Sequence, residues 1–237
     1  MVIIDQHSEM SHHQNTPSTS LVRALAAGGQ AEHPGTGRRQ RRAAETRLRL
    51  FRCALQLFAE RGFAAVTVEE ITEAADVGKG TFFNYFESKD HVLGVMAEIQ
   101  LGKVREAIAA SSRSTQTIHS VLHRLARRLV EEPGRSPSLA RAFVLSFLAS
   151  EEVRVVIAHN MREGRKMIAQ IVSTGQERGE IDPTLKKEKV AMQLMQICMG
   201  TVLLWSLDET PALKARIEDS FQHFWRAIAL SGQEKKQ

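Results

Sequence analysis

From Ala44 to about position 230, apolar residues recur at steps of three and four, and nowhere does the chain alternate at the two-residue period of a strand. That single periodicity restricts the fold to packed helices. The breaks between periodic segments carry the residues that end helices: "DVG", "SSRS", "PGRSP", "GEIDP" and "DETP". Helices are expected over about 89–110, 115–131, 137–149, 151–178, 185–206 and 212–230, after a shorter set nearer the N-terminus. The fold class is all-α: a three-helix N-terminal unit followed by a larger helical bundle. Residues 1–38, rich in Ser, Thr, His, Gly and Pro, have no sustained periodicity and are expected to be a disordered leader. The small unit is assigned to 39–93 and the bundle to 94–237.

Leu48, Phe51, Leu55 and Phe58 place one apolar face on the first helix, and Gly62 stands where a C-cap glycine belongs. "TVEE" has the spacing of a capping box, Thr67 accepting from the next turn while Glu70 reaches back. The second helix buries Val68, Ile71, Ala74 and Ala75 and ends at "DVG"; a third is expected over Lys79–Phe86. Two short helices joined by a tight turn and packed on a longer one make a helix-turn-helix. An eight-residue helix is about 12 Å long, close to the width of the B-DNA major groove.

The aromatics of that third helix divide by face. Phe82 and Phe86 turn inward on Phe51, Phe58 and Ile71, leaving Lys79, Thr81, Phe83, Asn84 and Tyr85 on the outer arc. Charge supports a nucleic-acid partner: seven arginines against Glu45 in residues 38–52 give a formal +6, which exceeds the +5 of the whole chain. Arginines 38, 39, 41 and 42 could serve as a minor-groove arm, or as a solvated stretch adding only counterion release. Two distant cysteines in apolar helical patterns suggest reduced, buried thiols and a cytoplasmic protein. No run of roughly 18 apolar residues stands out, and no membrane partner is expected.

"TVEEITEAADVGKGTFFNYF" followed by "ESKDHVL" resembles the DNA-binding segment of the tetracycline-repressor (TetR) family of bacterial regulators. The resemblance covers about 45 residues, with Asp76 where the family often has Gly and Gly78 where it often has Ser. It implies that Thr67 and nearby amides hold a phosphate. Gly78, Lys79, Gly80, Thr81, Phe83 and Asn84 would meet bases or adjacent backbone, and Tyr85 and Lys89 would clamp phosphates. It further implies a double-stranded DNA operator, palindromic and bound by a homodimer paired through its last two helices, with Trp205, Phe221, Phe224, Trp225 and Ile228 as interface candidates. For Trp205 and Trp225, plain intrachain burial is the alternative.

The same resemblance implies an effector pocket in the intervening helices, with Phe143, Phe147, Met161, Met167 and Ile168 as candidate lining, and a small-molecule effector that releases the repressor. For these lining candidates an ordinary core serves equally well or better. A transcriptional activator or an effector-independent DNA-binding protein are the alternatives. No cofactor is expected. His119 and His123 share a helix face, but no third ligand follows at metal spacing. Paired catalytic carboxylates, a nucleophile with its base and a metal shell are likewise absent from the spacings, so an enzyme is not expected.

Overall fold

The computed structural model describes residues 37–113, 115–149 and 151–230. Nine α-helices run through them: α1 (Gly37–Arg61), α2 (Val68–Ala74), α3 (Lys79–Phe83), α4 (Lys89–Ser111), α5 (Ile118–Glu131), α6 (Pro137–Ala149), α7 (Glu151–Glu177), α8 (Lys187–Leu207) and α9 (Leu213–Ile228). A 3-10 turn at Pro133–Arg135 links α5 to α6. Among the described residues the one extended pairing is an isolated antiparallel bridge between Ile181 and Ala229. The leader, including His7, His12 and His13, lies outside the described residues apart from its last two positions.

Those two positions, with the arginines after them, depart from the sequence reading. Gly37 to Arg42 belong to the first turns of α1, so the basic stretch is a helical extension, not an extended arm. At 100° per residue, Arg41, Arg42, Arg49 and Arg52 fall on one side of α1, and all four are exposed. Leu50, Phe51, Ala54, Leu55 and Phe58 are buried on the other.

Two hydrophobic clusters organise the chain. The N-terminal one gathers Phe51, Phe58, Ile71 and Phe82 from α1 to α3 and Phe86 just after α3 with Val92, Leu93, Val95, Met96 and Ile99 of α4 and Leu139 and Phe143 of α6. Each fully buried Phe there contributes about 1.5–3 kcal/mol of transfer free energy. The larger cluster joins α4 and α5 to α7, α8 and α9 around Leu122, Leu125, Ile171, Leu194, Ile217 and Phe221. The expected division at 93/94 falls inside α4, which is continuous from Lys89 to Ser111 and contributes to both clusters.

Local signals explain the joints. The Thr67 hydroxyl accepts from the Glu70 amide at 3.2 Å while the Thr67 amide donates to Glu70 Oε2 at 2.8 Å, forming the capping box. Gly62 (φ 80°) ends α1, and Asp76 supplies the left-handed residue (φ 50°) of the turn after α2. Helix α8 corrects the membrane expectation as to composition. With a mean hydropathy of 1.6 over its best window, it is long and apolar enough to cross a membrane. Here Val190, Leu194, Cys198, Val202 and Trp205 of that helix are instead buried in the bundle core.

Candidate DNA-binding surface and ligand cavity

Helix α3 is shorter than its sequence pattern suggests. It spans five residues, about 7.5 Å at 1.5 Å per residue. The winding continues, however: the Asn84 amide bonds the Gly80 carbonyl at 3.2 Å and the Phe86 amide bonds the Phe82 carbonyl at 2.9 Å. Phe82 and Phe86 are fully buried and anchor this segment. Phe83 is 49 % exposed, an unusual position for a phenylalanine. Gly78, Lys79, Gly80 and Asn84 are exposed beside it; Thr81 and Tyr85 are half-buried.

Neither glycine on this surface is required by the fold. Beyond the neighbouring residues and the local helix backbone, a Cβ added at Gly78 or Gly80 would meet no described atom within 4 Å, and neither has a positive φ. The absence of side chains there leaves backbone open to whatever approaches from outside.

Two ion pairs flank α3. Lys79 bonds Glu69, and Arg61 bonds Glu70 at 2.7 Å. Hydrogen bonds from Lys79 hold the Glu69 carboxyl below its ordinary range, and those from the Thr67 amide and hydroxyl do the same for Glu70. Both pairs are exposed and of little energetic consequence, so their cations can be given up to phosphates. Thr67 and Lys89 also make contacts within the chain. Thr67 spends its amide and hydroxyl on Glu70. Lys89 donates to the Phe63 carbonyl at 2.9 Å and the Val66 carbonyl at 3.0 Å, with its ammonium 4.5 Å from the Phe63 ring centroid. It ties the start of α4 to the α1–α2 loop, so its first role is positioning. Sequence spacing reveals no such long-range contact, nor the placement of Arg47 5.8 Å from the Phe86 ring centroid.

In the bundle, an apolar cavity of about 100 Å³ lies among α4, α6, α7 and α8. Of the candidate lining residues, Phe143, Met161 and Ile168 border this cavity, while half-buried Met167 packs on the larger core. The side chain of Phe147 lies outside the described residues. Sequence reasoning missed Gln100, Asn160, Met195, Cys198 and Met199, which converge from three helices and share no local motif. Phe143 belongs to the lining and also to the N-terminal hydrophobic cluster, so cavity and helix-turn-helix share a packed side chain.

The interface candidates fare differently. Trp205, Phe221, Phe224 and Ile228 are buried in this chain's own core, and half-buried Trp225 stacks edge-on against His119 at 4.9 Å. Within the single chain, the apolar faces of α8 and α9 pack on the bundle core. Leu203, Leu204 and Leu207 of α8 remain exposed, at 38, 59 and 69 %. His119 and His123 stack on each other at 5.9 Å, and His123 Nε2 lies 2.6 Å from Glu218 Oε1. Among the described residues no group of three or more His, Cys, Asp or Glu side chains converges as metal ligands.

The arrangement agrees with comparisons to known proteins. The family pattern "Bacterial regulatory proteins, tetR family" matches residues 50–96, and "Tetracyclin repressor-like, C-terminal domain" matches residues 148–221. The HTH-type transcriptional repressor DhaR of Mycobacterium sp. (strain GP1) is 25 % identical over 155 residues, covering 65 % of this chain and 78 % of DhaR. The HTH-type transcriptional regulator TcmR of Streptomyces glaucescens is 48 % identical over 58 residues, 24 % of this chain and 26 % of TcmR. The solved structure of the fatty acid degradation regulator FadR from Bacillus halodurans superposes with a TM-score of 0.63 at 20 % identity, covering 75 % of this chain and 96 % of that one. A helix-turn-helix with an exposed third helix, carried on a helical bundle, defines a DNA-binding transcriptional regulator. The chain belongs to the tetracycline-repressor family.

Proposed function

We propose that this regulator is a repressor that binds a palindromic operator as a homodimer and leaves it when a small molecule enters the bundle. The observation that carries the DNA-binding half is the outer arc of α3: Lys79, Gly80, Phe83 and Asn84 exposed over a fully buried Phe82. Asn84 reads a base edge, Phe83 packs on a thymine methyl, Thr81 and Tyr85 touch the adjoining backbone, and Gly78 and Gly80 admit close approach. Lys79 exchanges Glu69 for a phosphate. Thr67 and Lys89 hold the frame, and a phosphate near the start of α2 meets the remaining amides of its first turn.

Two readers are needed for a palindrome. Leu203, Leu204 and Leu207 sit on a segment, Val190–Leu207, that contains no charged residue, which suits burial against the same segment of a second copy. Repression is favoured over activation by the name of DhaR, which is a repressor. The apolar cavity is the effector site, and Phe143 and α4, shared between it and the helix-turn-helix, pass the change on. Selection of bound sequences from a random duplex pool tests the assignment. The expected result is an inverted repeat with half-sites about one helical turn, or a multiple of it, apart. A single unrepeated site, or no enrichment, would overturn it.

A further inference from the structure

The cavity walls are almost wholly apolar, but two lining residues are not. Gln100 Nε2 donates to the Leu129 carbonyl at 3.1 Å, which fixes the orientation of its amide. Among the described residues its buried Oε1 accepts from no donor, and the buried Nδ2 of Asn160 donates to no acceptor. A buried polar atom without a partner costs about 1–3 kcal/mol, and such atoms call for an explanation, a bound partner among them. One lone acceptor and one lone donor are both answered by a group that itself donates and accepts, such as a hydroxyl or an amide.

The same walls argue against charge. Among the described residues no Asp, Glu, Lys, Arg or His lines the cavity. The Cys198 thiol stays protonated, since burial pushes its pKa up to about 12. The fully buried Lys103 amino group, its pKa lowered by burial to about 7, is taken by the Glu132 carboxylate and the Arg128 carbonyl. An ionised ligand here would be desolvated without a counter-charge, an expensive state. Met161, Met195 and Met199 give the walls flexible side chains that can yield to a body larger than the resting space.

Resting on the reading of this cavity as the effector site, we propose that its ligand is an uncharged, mainly apolar molecule carrying a hydroxyl or amide that pairs with Gln100 and Asn160. Titration calorimetry of the full chain with three compounds of one skeleton tests this: 4-tert-butylphenol, tert-butylbenzene and 4-tert-butylbenzoate. The phenol is expected to bind at least about tenfold more tightly than either of the others. In Gln100→Leu and Asn160→Leu, each checked for native helicity, the phenol should fall to the level of the hydrocarbon while hydrocarbon binding persists. Equal binding of phenol and hydrocarbon, binding of benzoate as tight as that of the phenol, binding of none, or an unchanged preference in both variants would overturn the proposal.

Two further readings separate this chemistry from the effector assignment. Gly164 lines the cavity, and a Cβ there meets only Leu101 Cδ1, at 3.8 Å, so Gly164→Leu has room to fill the space. If that variant abolishes binding of a hydrocarbon that binds as well as the phenol, the site stands and its polar preference fails. If the phenol binds as predicted yet operator affinity is unchanged, the ligand chemistry stands and the effector role fails.

Discussion

Gly80 separates folding from recognition. In the exposed interior of a short helix, alanine is favoured over glycine by up to about 1 kcal/mol, and an added Cβ meets no described atom beyond its neighbours and the local helix backbone. Gly80→Ala should therefore unfold at an equal or higher temperature while losing operator affinity at least about tenfold. Parallel calorimetry and fluorescence anisotropy measure the two. Thr67→Ala removes a cap worth about 1 kcal/mol and should lower the melting temperature. The Glu70 carboxyl in that box has a folded pKa below its unfolded value, so its contribution is full above the ordinary carboxylate range and is lost as pH falls through the lower folded value. The difference in stability between wild type and Thr67→Ala should accordingly narrow in acid, as measured by urea unfolding across pH. The box was legible from "TVEE" because capping is a local signal. The duty of Lys89 was not, because its acceptors, Phe63 and Val66, come from an earlier loop.

Helix α4 carries the least expected chemistry among the elements, a lysine with no exposed side-chain surface bonded to Glu132 of the α5–α6 junction. Removing one partner of a buried pair leaves the other uncompensated, at a cost of about 3–5 kcal/mol, whereas replacing both with apolar residues restores much of it. Lys103→Met should be strongly destabilised and Lys103→Met/Glu132→Met much less so, as read by denaturant midpoints. Helix α1 offers the surface counterpart. Its exposed Arg41, Arg42 and Arg49 should add phosphate contacts without reading sequence, so replacing all three with Ala should weaken specific and nonspecific DNA alike and flatten the salt dependence. From α2 onward, helix positions were readable within a few residues, since periodicity and Gly or Pro breaks act locally, whereas α1 begins about seven residues before its apolar pattern. The fate of the α8 and α9 aromatics was not, because an apolar face does not say whether its own chain or a second copy covers it.

At the scale of the whole molecule, the all-helical fold and the division of α3 into a buried and an outward face followed from spacing alone. The cavity did not, since Gln100 and Asn160 are sixty positions apart and meet only when α4 packs on α7. The assembled protein is a DNA-binding regulator of the tetracycline-repressor family, and its basic and aromatic outer surface is the proposed contact with duplex DNA. The most direct test is the affinity of the full chain for its selected duplex as a function of salt. With about six to ten phosphates neutralised, affinity should fall by roughly 10³ to 10⁵ between 50 and 200 mM monovalent salt. Weak binding that hardly changes over that range would contradict the account.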